Sequence, residues 1–189
     1  PHYHEITHLV INYALKEIPL YTIPWLQEGT AVSFGGRWGK SSGVILQIGN
    51  FLFDQQMFTV DDLLTYYGFH STIGSADFSY PLSGLFAQFL LERCGPEKFL
   101  LLYRSLSGSS DIIRNLSVNS IHSVIAKSAG TSWQQLDEDF HAFRKQYAFA
   151  GIIPGTTAQK KPVQRITSGN YSVQISETDS AYLFDIRLD

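Results

Sequence analysis

The 189 residues carry a formal net charge of −3, with 16% charged residues and no basic run, which argues against a nucleic-acid partner. The length allows one domain with a sizeable core plus an appendage, and the single cysteine, Cys94, rules out an intrachain disulfide. No apolar run approaches about 18 residues, so no transmembrane segment is expected.

The first helix is expected from the start to about Glu17, stopped by Pro19. It carries the most specific signal in the chain, His4-Glu5-Ile6-Thr7-His8. Side chains at i and i+4 of a helix share a face, so His4 and His8 can present two imidazoles to one ion. Catalytic zinc takes three protein ligands and leaves a position for water, and Glu28, twenty residues after His8, completes a two-His, one-Glu set. Glu5 can then act as general base on that water. HExxH arises by chance in on the order of one chain in a hundred of this size. Ile6, Leu9, Val10, Tyr13 and Ala14 form one apolar face, and Ile11 and Leu15 add to the other side, so the helix is expected to be buried. Buried imidazoles need partners, which either a bound ion or the surrounding core can supply. Pro1 to Tyr3 offer no Ser, Thr, Asp or Asn cap, and the chain reads as a piece of a larger protein whose preceding part would hold any targeting signal.

Pro24 suits the first turn of a second helix carrying Trp25, Leu26, Glu28 and Ala31. Gly35, Gly36, Gly39 and Gly43 punctuate a flexible loop with Arg37, Trp38 and Lys40, and no phosphate-loop pattern is present. Thr59 and Asp62 form a capping-box-like start for a helix near 61–67. Residues 68–79 read as a polar loop. Helices follow at about 80–93, closed by Gly95, and at 96–106, opened by Pro96 and closed by Gly108. Two more are expected at about 120–128 and 132–147, the latter with Ser132 and Gln135 as reciprocal caps. Residues 151–169 read as a linker, and 171–176 and 181–188 as strands around a polar turn at 177–180.

Three segments together resemble the gluzincin branch of zinc metallopeptidases. They are His4-Glu5-Ile6-Thr7-His8, the ligand-helix pattern Pro24-Trp25-Leu26-Gln27-Glu28-Gly29-Thr30-Ala31, and the stretch Tyr80 to Phe99. Ala129-Gly130-Thr131-Ser132-Trp133, with Leu136 and Phe140, is a weaker echo, and the match spans roughly residues 1–147. The resemblance implies a zincin-like catalytic domain of mainly α class, represented by its helical half at 1–150. A linker and short β segment at 151–189 would then be an appendage or the start of a further domain. It implies Zn2+ bound by His4, His8 and Glu28, Glu5 as general base, and Tyr80 as hydrogen-bond donor to the tetrahedral oxyanion. His70, Tyr66 and Tyr67 are the alternatives for that donor. Where some relatives place an Asp one turn after Glu28, this chain has Val32, so Asn12, Asp54 or a backbone carbonyl would have to orient a ligand. His2, His122 and His141 fit no partner pattern and are expected to be solvated or capping.

The expected activity is zinc-dependent hydrolysis of peptide bonds in a peptide or protein substrate. One alternative is a catalytically impaired zincin-fold binding or scaffold module; another is a zinc hydrolase acting on a different bond. Low charge and aromatic content lean toward a periplasmic or secreted setting, which no motif fixes.

Overall fold

The computed structural model describes residues 3–16, 21–148, 161–168, 171–177 and 182–188. The chain divides into two compact units, 1–148 and 149–189. The first is helical throughout: α1 (Tyr3–Leu15), α2 (Pro24–Gly35), α3 (Ser42–Asp54), α4 (Val60–Leu64), a π-helical turn (Gly68–Thr72), α5 (Ala76–Cys94), α6 (Pro96–Ser105), α7 (Ser110–Asn115), α8 (Val118–Ala129), α9 (Trp133–Phe143) and a 3-10 turn (Arg144–Tyr147). The mainly α class therefore holds. None of these helices is long and apolar enough to cross a membrane.

Helix α5 is the axis of this unit. Eleven of its nineteen residues are buried, and α2 and α3 pack along it most extensively. Its Phe86 ring meets Trp25 at 5.3 Å, Phe140 at 5.2 Å, Phe89 at 6.1 Å and Trp133 at 6.2 Å, tying α2 and α9 to the axis. Each such aromatic pair adds roughly 0.5–1.5 kcal/mol beyond area burial. The helix starts at Ala76, one turn before the expected Tyr80, because Ser75 caps it by accepting from Asp77 N at 3.2 Å. Pro81 thus sits inside the helix rather than at its first turn.

Other boundaries follow local chemistry. Thr59 and Asp62 form the full capping box of α4, and Gly130 closes α8 in the left-handed region at φ 71°. Ser132 accepts from Gln135 N at 3.1 Å, but the Gln135 side chain turns forward to Asp139, so that cap is one-sided. The loop expected around Gly43 is wrong: Gly43 lies in α3. Ile45, Leu46, Ile48, Leu52 and Phe53 recur there at helical spacing and are all buried, which outweighs the two glycines of that helix. The polar loop expected at 68–79 is likewise replaced by the π-helical turn and the start of α5, and α7 occupies a stretch with no expected element.

Helix α1 also departs from expectation. Ile11 is its only buried residue, while Tyr3, Ile6, Leu9, Val10 and Tyr13 are 47–80% exposed. Its main packing partner is α2, so one side is covered and the predicted apolar face is not. General burial of the helix therefore does not account for the histidines.

The second unit is one antiparallel sheet in the order β1 (Lys161–Ser168), β2 (Tyr171–Glu177), β3 (Tyr182–Leu188). Ser168 pairs with Tyr171 and Glu177 with Tyr182. The two expected strands are present, but residues 161–168 are a strand where a linker was expected. Pro162 belongs to the edge strand, beside a register shift between 162 and 164, where a missing N–H is tolerated. Glu177, expected in the turn, ends β2, while residues 178–180 and the first part of the linker lie outside the described residues.

Candidate metal centre

Two helices build the centre. In α1, His4 and His8 stand one turn apart with ring centroids 5.0 Å from each other. In α2, the Pro24 start fixes the phase that points Glu28 back at them. The crossing is tight at the far end of α2: a methyl group on Gly35 would overlap the backbone of Tyr3 and His4.

Glu28 Oε2 lies 3.2 Å from His4 Nε2 and 3.6 Å from His8 Nε2. Four ligands at about 2.0–2.1 Å around tetrahedral zinc stand about 3.3–3.4 Å apart, so these separations are within a few tenths of an ångström of a coordination shell. Among the described residues this trio is the only group of three or more His, Cys, Asp or Glu side chains whose donor atoms all lie within 4.8 Å of one another. The three side chains are 13%, 18% and 21% exposed, which shelters the donors while leaving an approach. The donor set and its spacing fit zinc.

The imidazole needs an orienting acceptor, and the chain provides a backbone carbonyl. His4 Nδ1 lies 3.2 Å from Gly36 O, so the tautomer with hydrogen on Nδ1 donates there and leaves Nε2 facing the trio. Gly36 adopts φ 65°, ψ −161°, a conformation open only to glycine. Of the two side chains considered for this task, Asp54 instead pairs with Arg144 and accepts from Asn50 at 3.2 Å. Among the described residues, Asn12 makes no hydrogen bond to the trio. No sequence pattern announces an orienting carbonyl; the only trace is the glycine itself.

Burial opposes ionisation of Glu28, but hydrogen bonds and charge from His4 and His8 outweigh it and hold the carboxyl at about 2. Its charged form is thus committed to the two imidazoles. Tyr80 stacks on His4 at 6.1 Å and 29° between planes. Burial raises the Tyr80 pKa, Glu28 adds to that, and Arg37 opposes it. His70 is lowered by burial against an opposing pull from Glu28. Phe69, His70, Gly74, Ser75, Ala76, Ser79 and Tyr80 line a recess of about 130 Å³, and the Ser79 hydroxyl is buried without a hydrogen-bond partner among the described residues.

The remaining candidates separate. Glu5 is exposed in the first turn of α1 and, among the described residues, makes no hydrogen bond or ion pair. Tyr66 packs against Tyr67 and His70, and Tyr67 is 59% exposed. His122 is not solvated: it bonds Asp61 at 2.7 Å and stacks on Trp133 at 3.7 Å, joining α8 to α4 and α9. His141 is exposed beside Asp137 and Arg144, and His2 lies outside the described residues. Sequence reasoning named Arg37 only as a loop residue, yet its guanidinium carbon sits 3.3 Å from the Tyr80 ring centroid.

The chain matches no protein-family model, no curated protein and no solved structure.

Proposed function

We propose that this chain is a zinc-dependent peptidase of the gluzincin type, with His4, His8 and Glu28 as ligands. The carrying observation is the convergence of these three donors within 4.8 Å of one another, with Glu28 at near-tetrahedral spacing from each imidazole, from the HExxH helix and the PWLQEGTA helix. Zinc in such a site activates water at neutral pH and polarises a carbonyl oxygen. The exposed Glu5 carboxylate, beside His4 in the chain, serves as the base that accepts the proton of the attacking water and returns it to the leaving amine. The Tyr80 phenol donates a hydrogen bond to the scissile carbonyl oxygen as negative charge develops there. Its raised pKa keeps it protonated for that donation at neutral pH. The recess that shares Tyr80 with the site receives a substrate side chain.

Lack of a carboxylate partner for the imidazoles would favour the scaffold alternative, and the Gly36 carbonyl fills that role for His4. Zinc content by atomic absorption, followed by mass-spectrometric profiling on a broad peptide library, tests the proposal. About one zinc per chain is expected, with hydrolysis lost on chelation and restored by zinc. A protein that takes up no zinc, or cleaves nothing when loaded, overturns it.

A further inference from the structure

The turn after α2 is built to hold one side chain. Arg37 N donates to Lys40 O at 3.2 Å and Lys40 N to Arg37 O at 2.8 Å, closing the four residues on themselves. Trp38 is held at φ 52°, a left-handed conformation that costs a bulky residue on the order of 1 kcal/mol and persists only where its surroundings fix it. The Arg37 guanidinium carbon then lies 3.3 Å from the Tyr80 ring centroid and 5.3 Å from that of Trp38. Among the described residues, no Asp or Glu carboxylate comes within 4.0 Å of it, and Nε is enclosed without an acceptor. Arginine cannot shed its proton, so a half-buried guanidinium that meets Tyr80 and the Trp38 ring but no carboxylate keeps an unmet demand for an anion.

We propose that Arg37 determines specificity by recognising a carboxylate on the substrate, one or two residues from the scissile bond. This rests on the peptidase reading above. The reach follows from the stack: 3.3 Å from guanidinium to Tyr80 and 6.1 Å from Tyr80 to His4 put the cation at most roughly 9.4 Å from the His4 ring. An extended peptide advances about 3.3–3.6 Å per residue, so this upper limit spans fewer than three residues and places the carboxylate one or two residues from the scissile bond. The planar guanidinium fork matches a carboxylate, which either a free C-terminus or an Asp or Glu side chain supplies.

Peptide hydroxamates, which bind zinc and resist cleavage, separate these sources. One pair differs by a free or amidated C-terminus; a second, amidated throughout, differs by Glu or Gln. Calorimetric titration of zinc-loaded protein is expected to favour the carboxylate member of at least one pair by tenfold or more. That ratio collapses toward one in R37Q and is partly kept in R37K, which retains charge without the fork. A merely structural role for Arg37 would weaken both members alike and leave the ratio unchanged. Equal affinity within both wild-type pairs overturns the inference, whatever the turnover. Discrimination without hydrolysis of the parent peptides overturns the peptidase reading and leaves the carboxylate site. Hydrolysis without discrimination does the reverse, and failure to take up zinc overturns both.

Discussion

Gly35→Ala is the most direct probe of how the two helices set the candidate metal centre. A methyl group at Gly35 would stand 2.6 Å from His4 Cα and from the Tyr3 carbonyl carbon, where ordinary contact begins at about 3.4 Å. All the nearest atoms are backbone, so no side-chain rotation relieves the overlap, and α1 must retreat from α2 by about 1 Å. Zinc sites tolerate deviations of about 0.2 Å in ligand distance, and loss of a supporting contact typically costs 10–100-fold in affinity. Overpacking of this kind costs about 1–3 kcal/mol in stability. Competition with a chromophoric chelator should therefore show zinc bound at least tenfold more weakly, and urea unfolding of the metal-free variant should show at least about 1 kcal/mol lost. Gly43→Ala is the control: a methyl group there meets nothing within 4 Å, so zinc affinity is unchanged and the helix gains up to about 1 kcal/mol. Gly35→Ala with wild-type affinity and stability would falsify the account of the α1–α2 crossing.

Glu5→Gln should abolish turnover while leaving one zinc bound; residual hydrolysis at the wild-type rate removes Glu5 from the proposed chemistry. Tyr80→Phe should lower kcat about 100-fold, close to the 3 kcal/mol typical of one oxyanion donor, with KM little changed; an effect on KM alone points instead to substrate binding. In metal-free protein, the Glu28 carboxyl is held at about 2 against an ordinary 4.5. Its folded pKa lies below the unfolded one, so the stability it contributes is present above about pH 4.5 and lost as the pH falls toward 2. Urea unfolding across that window should show a steeper acid loss for wild type than for Glu28→Gln, and parallel curves refute the pairing.

What the sequence made legible was chemistry tied to side-chain spacing. His4 and His8 could be paired because i,i+4 geometry puts them on one helix face, and Glu28 joined them as a candidate ligand through its resemblance to a known ligand-helix pattern. The Gly36 carbonyl could not, since every residue has one and only the fold selects it. Residues 43–54 were obscured because Gly43 looks like loop punctuation when its neighbours in space are unknown. Residues 161–168 were obscured by Pro162, which signals a break except on an edge strand. The exposure of α1 was misjudged for a different reason: an apolar face reports what a helix could bury, and the partner that buries it is not encoded in the helix.

The two halves of the candidate metal centre also differ in how long they should stay in place. Glu28 rides on α2, which is buried along most of its length against α5, so its amide hydrogens should exchange with solvent only when the whole unit opens. The histidines ride on α1, which buries one residue and leans mainly on α2, so that helix can fray or detach in local openings far cheaper than global unfolding. An ion joining the two would couple a labile element to a durable one. Metal capture would then register as slowed deuterium uptake in α1, with α5 unchanged, and metal release would be timed by the opening of the N-terminal helix.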